Sequence, residues 1–344
     1  MKLFGSKGSG VLVTVFGKTD VGRTREHNED CFMVADLSAR NASLQPEVRE
    51  HEVGPRGSLL VVADGMGGAA AGEVASEMAS RTIYEHMVDK WGNDEENTPQ
   101  QFAYRLKEAV EEANTRIHAY AKEHPEMRGM GTTTTAVGVL GDHLYITQVG
   151  DSRAYLVRRG RGIQLTKDQS LMQRLVDAGE ITEEEAERSE RRNIILQALG
   201  PDAKVRVDLT NQQVRRGDAL VLCSDGLSGQ VSREEITERV SQLDKDLVAI
   251  CSELIDTANE RGGPDNITVV IAKFGGDGLG HPGGEDEVGH QVYPLLDPES
   301  TTEPVPVYKG SPPPVPENRA RLMLAGVLAA GITAAALFFA AMGL

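Results

Sequence analysis

The chain has 344 residues, of which 40% are hydrophobic, so it can hold one large domain with appendages or two domains. Its formal net charge of −16 argues against a nucleic-acid partner, because neutralising phosphates requires clustered lysine and arginine. The three cysteines are far apart and lack zinc-site spacing. They form no disulfide framework in the sequence pattern, which favours a protein of a reducing compartment. Residues 1–10 have no apolar signal-peptide core, and we expect them to be a short tail.

The predicted elements form groups of strands and groups of helices. Two long helices in series follow the first strands, which indicates the layers of an α+β fold rather than strict alternation of single strands and helices. In chain order we predict strands 11–16, 31–35 and 59–63, helices 72–90 and 100–122, strands 131–140, 143–149 and 154–157, helix 171–178, strand 218–224, helices 233–240 and 247–260, and strand 267–274.

One of these strands, in the run LLVVADGMGG, ends abruptly in Asp64 and Gly65. Because glycine lets backbone carbonyls approach a ligand closely, this corner can present a carboxylate and a carbonyl together. A single corner of this kind is usually only a turn. The construction recurs at Asp151 and Asp225, however, and Asp265 precedes a further strand. If these four aspartates converge, their repulsion must be relieved by protonation or by bound cations.

Two polar segments lie beyond the hairpin strands. The run TKDQ at 166–169 fits a capping box, so we interpret Asp168 as a structural residue at the start of a helix. Residues 183–192 are densely charged and have no apolar stripe, which predicts a mobile, solvated flap.

The C-terminal part of the chain differs in composition from the rest. Residues 275–318 hold nine of the 15 prolines, and we expect a disordered linker there. Residues 322–344 carry no charge and extend roughly 34 Å as a helix, which predicts a transmembrane anchor over 319–344. Arg319 and Arg321 precede the apolar run and nothing basic follows it, so the large N-terminal part is expected in the cytoplasm.

The chemistry of the acidic corners indicates hard metal ions. Carboxylates and a carbonyl, without histidine or cysteine ligands, select Mg²⁺ or Mn²⁺ over zinc. One aspartate shared between two such ions holds them ~3.5–4 Å apart, the spacing that activates a bridging water for in-line attack on phosphorus. Arg25 lies in an early segment rich in arginine and acids, and its guanidinium can bind a phosphate through two hydrogen bonds.

Several motifs together carry a resemblance to a known family. TDVGRTREHNED, VVADGMGG, GMGTT, VGDSRAYL, LTKDQS, LCSDGLSG and GGPDNITVV occur in the order found in the metal-dependent protein phosphatases of type 2C, the PPM family. The chain resembles the bacterial branch over roughly 11–274. The resemblance implies a four-layer αββα sandwich of two antiparallel sheets flanked by helices. It also implies hydrolysis of phosphoserine and phosphothreonine on proteins without a phosphoenzyme intermediate.

The resemblance also implies metal ligands. Asp64 resembles the aspartate that bridges two metal ions, and the carbonyl of Gly65 resembles a ligand of one of them. Asp225 and Asp265 resemble the remaining ligands of the other ion. Asp151 resembles the acid that holds a third, weaker ion together with Asp225.

Further positions have implied supporting roles. Arg25 takes the phosphate-binding position, while Glu29 and Asp30 match residues that orient metal-bound waters. Asn266 resembles a structural residue that braces its loop, as do Gly131 and Thr132.

The chain departs from the family pattern at several positions. Met66 stands in the glycine turn where many eukaryotic members carry a histidine that is a candidate general acid, so leaving-group protonation must come from elsewhere. His27 is near in sequence, although a lone histidine is more often a turn residue. Gln169 stands where a histidine is common, and Ser189 begins a dipeptide that replaces His-Pro in the flap. These differences concern flap contacts and substrate preference rather than the metal centre.

The leading interpretation is an active, membrane-tethered serine/threonine protein phosphatase that uses two Mn²⁺ or Mg²⁺ ions, with a third, weaker ion implied by the resemblance. Its expected partners are phosphorylated proteins, including a serine/threonine kinase and the substrates of that kinase. One alternative is a pseudophosphatase that keeps the fold as a scaffold, against which the intact metal positions and Arg25 argue. The other is a hydrolase of small phosphoesters.

Overall fold

The computed structural model describes residues 9–68, 71–189, 191–242, 245–283 and 287–295. In these ranges thirteen strands form two antiparallel sheets. The strands are β1 (Leu12–Asp20), β2 (Asp30–Asp36), β3 (Asn41–Ser43), β4 (Arg49–Glu52), β5 (Ser58–Met66), β6 (Gly131–Thr132), β7 (Thr134–Leu140), β8 (His143–Val149), β9 (Arg153–Arg158), β10 (Arg161–Gln164), β11 (Asp208–Gln213), β12 (Ala219–Cys223) and β13 (Ile267–Gly275).

Seven α-helices accompany the strands in the described ranges. They are α1 (Ala71–Asp89), α2 (Pro99–Glu123), α3 (Leu171–Asp177), α4 (Glu183–Glu187), α5 (Asp225–Ser228), α6 (Arg233–Val240) and α7 (Leu247–Glu260). The start of α2 shows why a helix begins at this point. Thr98 caps it by accepting a hydrogen bond from Gln101 N, and Pro99 occupies the first position, where a missing N–H costs nothing.

The strands are arranged in a six-stranded and a seven-stranded sheet. The first sheet runs β10-β9-β12-β13-β1-β4, and the second runs β11-β8-β7-β5-β2-β3, with the short β6 paired to the end of β5. Every pairing is antiparallel. In the second sheet Asp30 pairs directly with Asp64, so the register itself brings two carboxylates to the same edge.

Alternating side chains on β5 build two different cores. Leu59 and Val61 pack against α1 and α2, whereas Leu60 and Val62 pack between the two sheets, and all four are at most 1% exposed. This alternation follows from the two-residue period of a strand. Replacing one such leucine by alanine typically costs about 2–5 kcal/mol of stability.

The helices cover the outer faces of the sandwich. Side chains of α1 and α2 pack on the second sheet, and those of α5, α6 and α7 pack on the first. The layer order is therefore helix, sheet, sheet, helix, which confirms the prediction of two antiparallel sheets flanked by helices.

The segment after β13 corrects the predicted domain boundary at residue 274. Residues 276–283 and 287–295, here called the C-terminal strap, lie on the folded unit, which extends to Leu295. Leu279 is 3% exposed, and Arg216 N donates to Gly280 O at 2.9 Å. Further along, Tyr293 N donates to Leu209 O at 3.0 Å, so the strap pairs with the edge strand β11. Sparse apolar residues at a sheet edge were enough to order a segment whose composition predicted a linker.

The predicted anchor and most of the linker fall outside the described residues. Residues 319–344 belong to that part, as do residues 1–8 of the predicted tail. Among the helices that the structure does describe, none combines the length and apolarity needed to cross a membrane.

One local prediction is also corrected. Ser170, and not a residue of the TKDQ run, caps α3 by accepting from Gln173 N, while Asp168 pairs with Arg153 at 2.7 Å. Asp168 is therefore structural, but through an ion pair. Within the predicted flap the chain forms the short helix α4, because Thr182 and Glu185 build a capping box. The mobility of the flap stays a prediction.

Candidate active site

Carboxylates from separate strands converge at one rim of the sandwich. Asp64 lies two residues before the end of β5, Asp225 follows β12, Asp265 precedes β13, and Asp151 follows β8. Burial raises the pKa of Asp64 well above its ordinary value, and the nearby charges of Asp30 and the other three aspartates raise it further. The four predicted aspartates thus lie within electrostatic reach of one another.

The backbone around Asp64 is fixed by two threonines. Thr133 N and Thr132 Oγ1 donate to Asp64 O at 2.8 and 2.9 Å, and Asp64 N donates to Thr133 Oγ1 at 3.2 Å. At Gly65 a side chain is impossible, since a Cβ would lie 2.2 Å from Gly72 O. The close approach of two backbones therefore explains why a glycine follows the aspartate.

Asp30 contributes a buried carboxylate with one unpartnered oxygen. Its Oδ2 accepts hydrogen bonds from Ser224 Oγ and Thr268 Oγ1, both at 2.7 Å. Its Oδ1 is buried and has no hydrogen-bond partner in the described part of the chain. Burial is the main cause that raises the pKa of Asp30 to about 7, and the charges of Asp225 and Asp265 add to it. An orphaned buried oxygen of this kind suits a water or an ion as its partner.

Arg25 supplies the cationic side of the rim, where it pairs with Asp265. Arg25 Nη2 lies 2.8 Å from Asp265 Oδ2, and the arginine side chain is 48% exposed. Burial raises the pKa of Asp225, the charge of Asp265 raises it further, and a hydrogen bond with Asp64 opposes both. Arg25 therefore lies within reach of the acids and is also open to solvent.

Asn266 braces the loop that carries Arg25, as the resemblance implied. Its amide Nδ2 donates to Val21 O and His27 O at 2.9 Å each, and its Oδ1 accepts from Glu29 N at 2.8 Å. Glu29 is itself buried at 8% exposure, and Gly65 N donates to Glu29 O at 3.1 Å. One asparagine thus ties two distant turns to the corner at Asp64.

Asp151 is the most enclosed of the predicted ligands, at 8% exposure. Burial raises its pKa to about 8, the charges of Asp225 and Asp168 raise it further, and Arg153 opposes the shift. Arg153 also pairs with Asp168 at 2.7 Å. Asp151 therefore lies next to the rim and within the field of Arg153, which also acts on Asp225.

The donor chemistry fits hard divalent cations. In the described ranges no three His, Cys, Asp or Glu side chains already form a cation cage. Asp265 turns toward Arg25 and Asp30 toward two hydroxyls, so the acids come close without completing a ligand set. The unpartnered oxygen of Asp30 and the mutual repulsion are both features that a bound cation would relieve.

Sequence reasoning missed three residues that shape this rim: Ser224, Thr268 and Arg153. Ser224 and Thr268 are fully buried and hold Asp30, yet they look like ordinary strand residues. The available signal was their position, since a polar residue inside an apolar strand end needs a partner. His27 is exposed, and its backbone carbonyl accepts a hydrogen bond from Asn266.

Comparison with known proteins agrees with this geometry. A family model described as protein phosphatase 2C matches residues 39–268. The serine/threonine phosphatase stp of Listeria innocua is 38% identical over 257 residues, which cover 74% of this chain and 94% of that protein. The serine/threonine protein phosphatase PstP of Mycobacterium tuberculosis is 42% identical over 214 residues, or 62% of this chain and 40% of PstP.

A solved structure supports the same assignment. The catalytic domain of PstP in complex with two manganese ions aligns with a TM-score of 0.61 and 38% identity, covering 77% of this chain and 99% of that domain. The chain therefore belongs to the protein phosphatase 2C family. Within that family, it is a serine/threonine protein phosphatase.

Proposed function

We propose that this phosphatase hydrolyses phosphoserine and phosphothreonine on proteins with two Mn²⁺ or Mg²⁺ ions held at the acidic rim. Asp64 would contact both ions, the carbonyl of Gly65 one of them, and Asp225 and Asp265 the other. The observation that carries this proposal is the convergence of buried carboxylates that raise one another's pKa. When bound, such ions supply Lewis acidity toward phosphate oxygens and lower the pKa of water.

The protein itself supplies substrate binding and orientation. Arg25 is half exposed, and its one side-chain partner among the described residues is Asp265, bound through Nη2, so its remaining N–H groups can hold the phosphate oxygens. Glu29 and the free oxygen of Asp30 can accept hydrogen bonds from waters at the rim. Met66 cannot titrate, so the proton of the leaving group must come from a water or another group at this rim.

We also propose a third, weaker cation site formed by Asp151 with Asp225. The charge of Asp225 raises the pKa of Asp151, which supports an ion shared between the two carboxylates. The fixed charge of Arg153 near Asp151 reduces the attraction for a cation. The third site also has two carboxylates where the two-ion site has three, which supports a lower affinity for its ion.

The test is Mn²⁺-dependent release of phosphate from a phosphothreonine peptide, compared with Asp64→Asn. Asp256→Asn, at an exposed aspartate on α7 that is none of the proposed ligands, is the matched control and should leave activity unchanged. Activity that persists in excess EDTA contradicts the metal assignment. Phosphate release from p-nitrophenyl phosphate but not from phosphopeptides favours a small-phosphoester hydrolase, and no release from a folded protein favours a scaffold.

A further part of the proposal concerns location. The apolar run at 322–344 supports a membrane anchor over 319–344, with the catalytic domain in the cytoplasm. Tethering would raise the effective concentration of enzyme near membrane-bound phosphoproteins, including a serine/threonine kinase. Carbonate extraction of cell membranes tests this. Full-length protein should stay in the membrane pellet, and protein ending at Leu295 should not.

A further inference from the structure

Gln169 is a buried glutamine next to the turn that carries Asp151. It is 7% exposed and lies just before α3. Its Oε1 accepts from Gly150 N at 3.0 Å, and its backbone N donates to Gly150 O at 2.9 Å. Gly150 immediately precedes Asp151, so Gln169 holds both polar backbone groups of the residue before this carboxylate.

The Asp151 turn needs this support. Gly150 has a φ of +103°, and a Cβ there would lie 2.6 Å from Thr133, so the turn is narrow and left-handed. Gln148 braces its inner side by donating to Gly150 O and Ser152 O, both at 3.2 Å. These hydrogen bonds oppose the repulsion between the Asp151 carboxylate and its acidic neighbours.

The same glutamine holds the segment 194–197, here called the flap base. Leu196 N donates to Gln169 O at 2.7 Å, and Gln197 Nε2 donates to Gln169 Oε1 at 3.2 Å. Next to it, Leu171 N donates to Ile194 O at 2.8 Å. The flap base is therefore hydrogen-bonded to Gln169, the same residue that holds the Asp151 turn.

Asp208 fixes the orientation of this amide. Gln169 Nε2 donates to Asp208 Oδ2 at 2.8 Å, so Oε1 must face Gly150 and Gln197. The carboxylate of Asp208 has one other side-chain partner in the described chain, Arg206, which is 77% exposed and lies 3.4 Å away. Such an exposed ion pair contributes little, which leaves the bond to Gln169 as the main interaction of Asp208.

We propose that Gln169 is a positioning residue that sets the Asp151 carboxylate for the third cation and couples it to the flap base. Displacing the flap base then moves the Asp151 turn and changes the affinity of the third site. Removing a hydrogen-bond partner that orients a metal ligand typically costs 10–100-fold in metal affinity. The inference rests on the third site of the proposed function.

An exchange of amide and carboxylate tests the proposal. Gln169→Glu places two carboxylates face to face and removes the donor to Asp208. Asp208→Asn alone should have a small effect, because its amide oxygen can still accept from Gln169. In the double variant Gln169→Glu/Asp208→Asn the donor and acceptor exchange places, so the bonds to Gly150 and Gln197 are restored.

The matched control is Gln173→Glu. Gln173 Nε2 donates to Asp177 Oδ1 at 3.0 Å on the exposed face of α3, so the same chemical change faces another aspartate away from the rim. Two readouts do not depend on catalysis. Electron paramagnetic resonance counts bound Mn²⁺ and gives the affinity of the weakest site. Hydrogen exchange of the metal-free protein reports the amides of Gly150 and the flap base.

We expect Gln169→Glu to weaken the third site by about tenfold, to speed exchange at both segments, and to leave the two stronger sites unchanged. The double variant should return to within about twofold of wild type, and Gln173→Glu should match wild type. An unchanged third site in Gln169→Glu, or a folded double variant without restored affinity, overturns the proposal. If Gln169→Glu does not fold, failure of Asp208→Ala to weaken the third site overturns it as well.

The outcomes separate this inference from the proposed function. A wild-type protein that binds only two Mn²⁺ ions and hydrolyses phosphopeptides overturns the inference and leaves the two-metal function standing. A protein that binds three ions, shows the expected exchange pattern and hydrolyses no phosphopeptide supports the inference and contradicts the proposed function.

Discussion

Strand β12 has an aspartate just before it and another just after it, and the two have opposite surroundings. Asp218 is buried and is bound by Arg158 at 2.6 Å and by Arg215 N at 2.7 Å. At the other end lies Asp225, and its pKa is raised by burial and by the charge of Asp265. A buried carboxylate with its own cation belongs to the fold, whereas one surrounded by other acids is available to a cation from solution.

The difference has a thermodynamic consequence. Breaking a buried ion pair leaves an uncompensated charge, which is costly. Removing one acid from a group of mutually repelling acids relieves strain in the metal-free protein instead. Stability and activity should therefore separate between the two ends of the same strand.

The largest expected effect is on catalysis, in Asp225→Asn. Losing a ligand of the proposed ions should lower kcat/KM on a phosphothreonine peptide by about 10⁴-fold or more, equivalent to at least ~5.5 kcal/mol. In EDTA, the thermal unfolding temperature of the variant should be at least as high as that of wild type, because one source of repulsion is gone. A metal-free protein that melts much lower would contradict the contrast between the two aspartates.

At the other end of the strand, Asp218→Ala should destabilise the protein by about 3–5 kcal/mol, since it leaves Arg158 buried without its partner. Urea unfolding measures this loss, and Mn²⁺ affinity of the folded protein should be unchanged. Asp277→Ala is the matched control, because Asp277 pairs with Arg216 at 3.0 Å with a fully exposed side chain. Equal losses in the two variants would show that burial is not the deciding factor.

Replacing Arg25 tests the role of the cation at the acidic rim. Arg25→Ala should lower kcat/KM by roughly 10–100-fold, and the split between kcat and KM shows whether the guanidinium binds the transition state more tightly than the substrate. Arg25→Lys should recover little, because an ammonium cannot reproduce the two-pronged geometry. If both variants match wild type on a phosphopeptide, the exposed Arg23 is the better candidate for phosphate binding.

The smallest effect is expected for an exposed ion pair. Arg261 Nη2 lies 2.5 Å from Glu235 Oε1, and hydrogen bonding from Arg261 is the main cause that lowers the pKa of Glu235 to about 2. A lowered carboxyl pKa contributes stability above the ordinary value of 4.5, and that contribution is lost as pH falls toward about 2.

Arg261→Gln should therefore cost well under 1 kcal/mol at pH 7, because solvent screens the pair, and the difference from wild type should shrink as pH falls below about 4.5. Urea unfolding at pH 7 and pH 3 measures both values. A loss at pH 7 comparable with that of Asp218→Ala would remove burial as the explanation.

Much of the site was predictable because its signals are local. Asp64, Asp225 and Asp265 each lie at a strand end, and the structure brings all three to one rim. The Asp168 prediction had the right conclusion for the wrong reason, because a four-residue pattern cannot reveal that Arg153 on a neighbouring strand holds the carboxylate. The C-terminal strap at 276–283 and 287–295 was missed because it pairs with β11, about 80 residues earlier in the chain.

By itself the sequence determined the layer architecture, the strand ends that carry the acids and the family, since a two-residue period and ordered motifs depend only on neighbours along the chain. The tertiary structure alone decided which carboxylates have a partner. Asp218 and Asp225 are seven residues apart and chemically identical, yet Arg158 reaches only the first. It also decided that Gln169 joins the Asp151 turn to the flap base, because hydrogen bonds between distant segments form only after the sheets have packed.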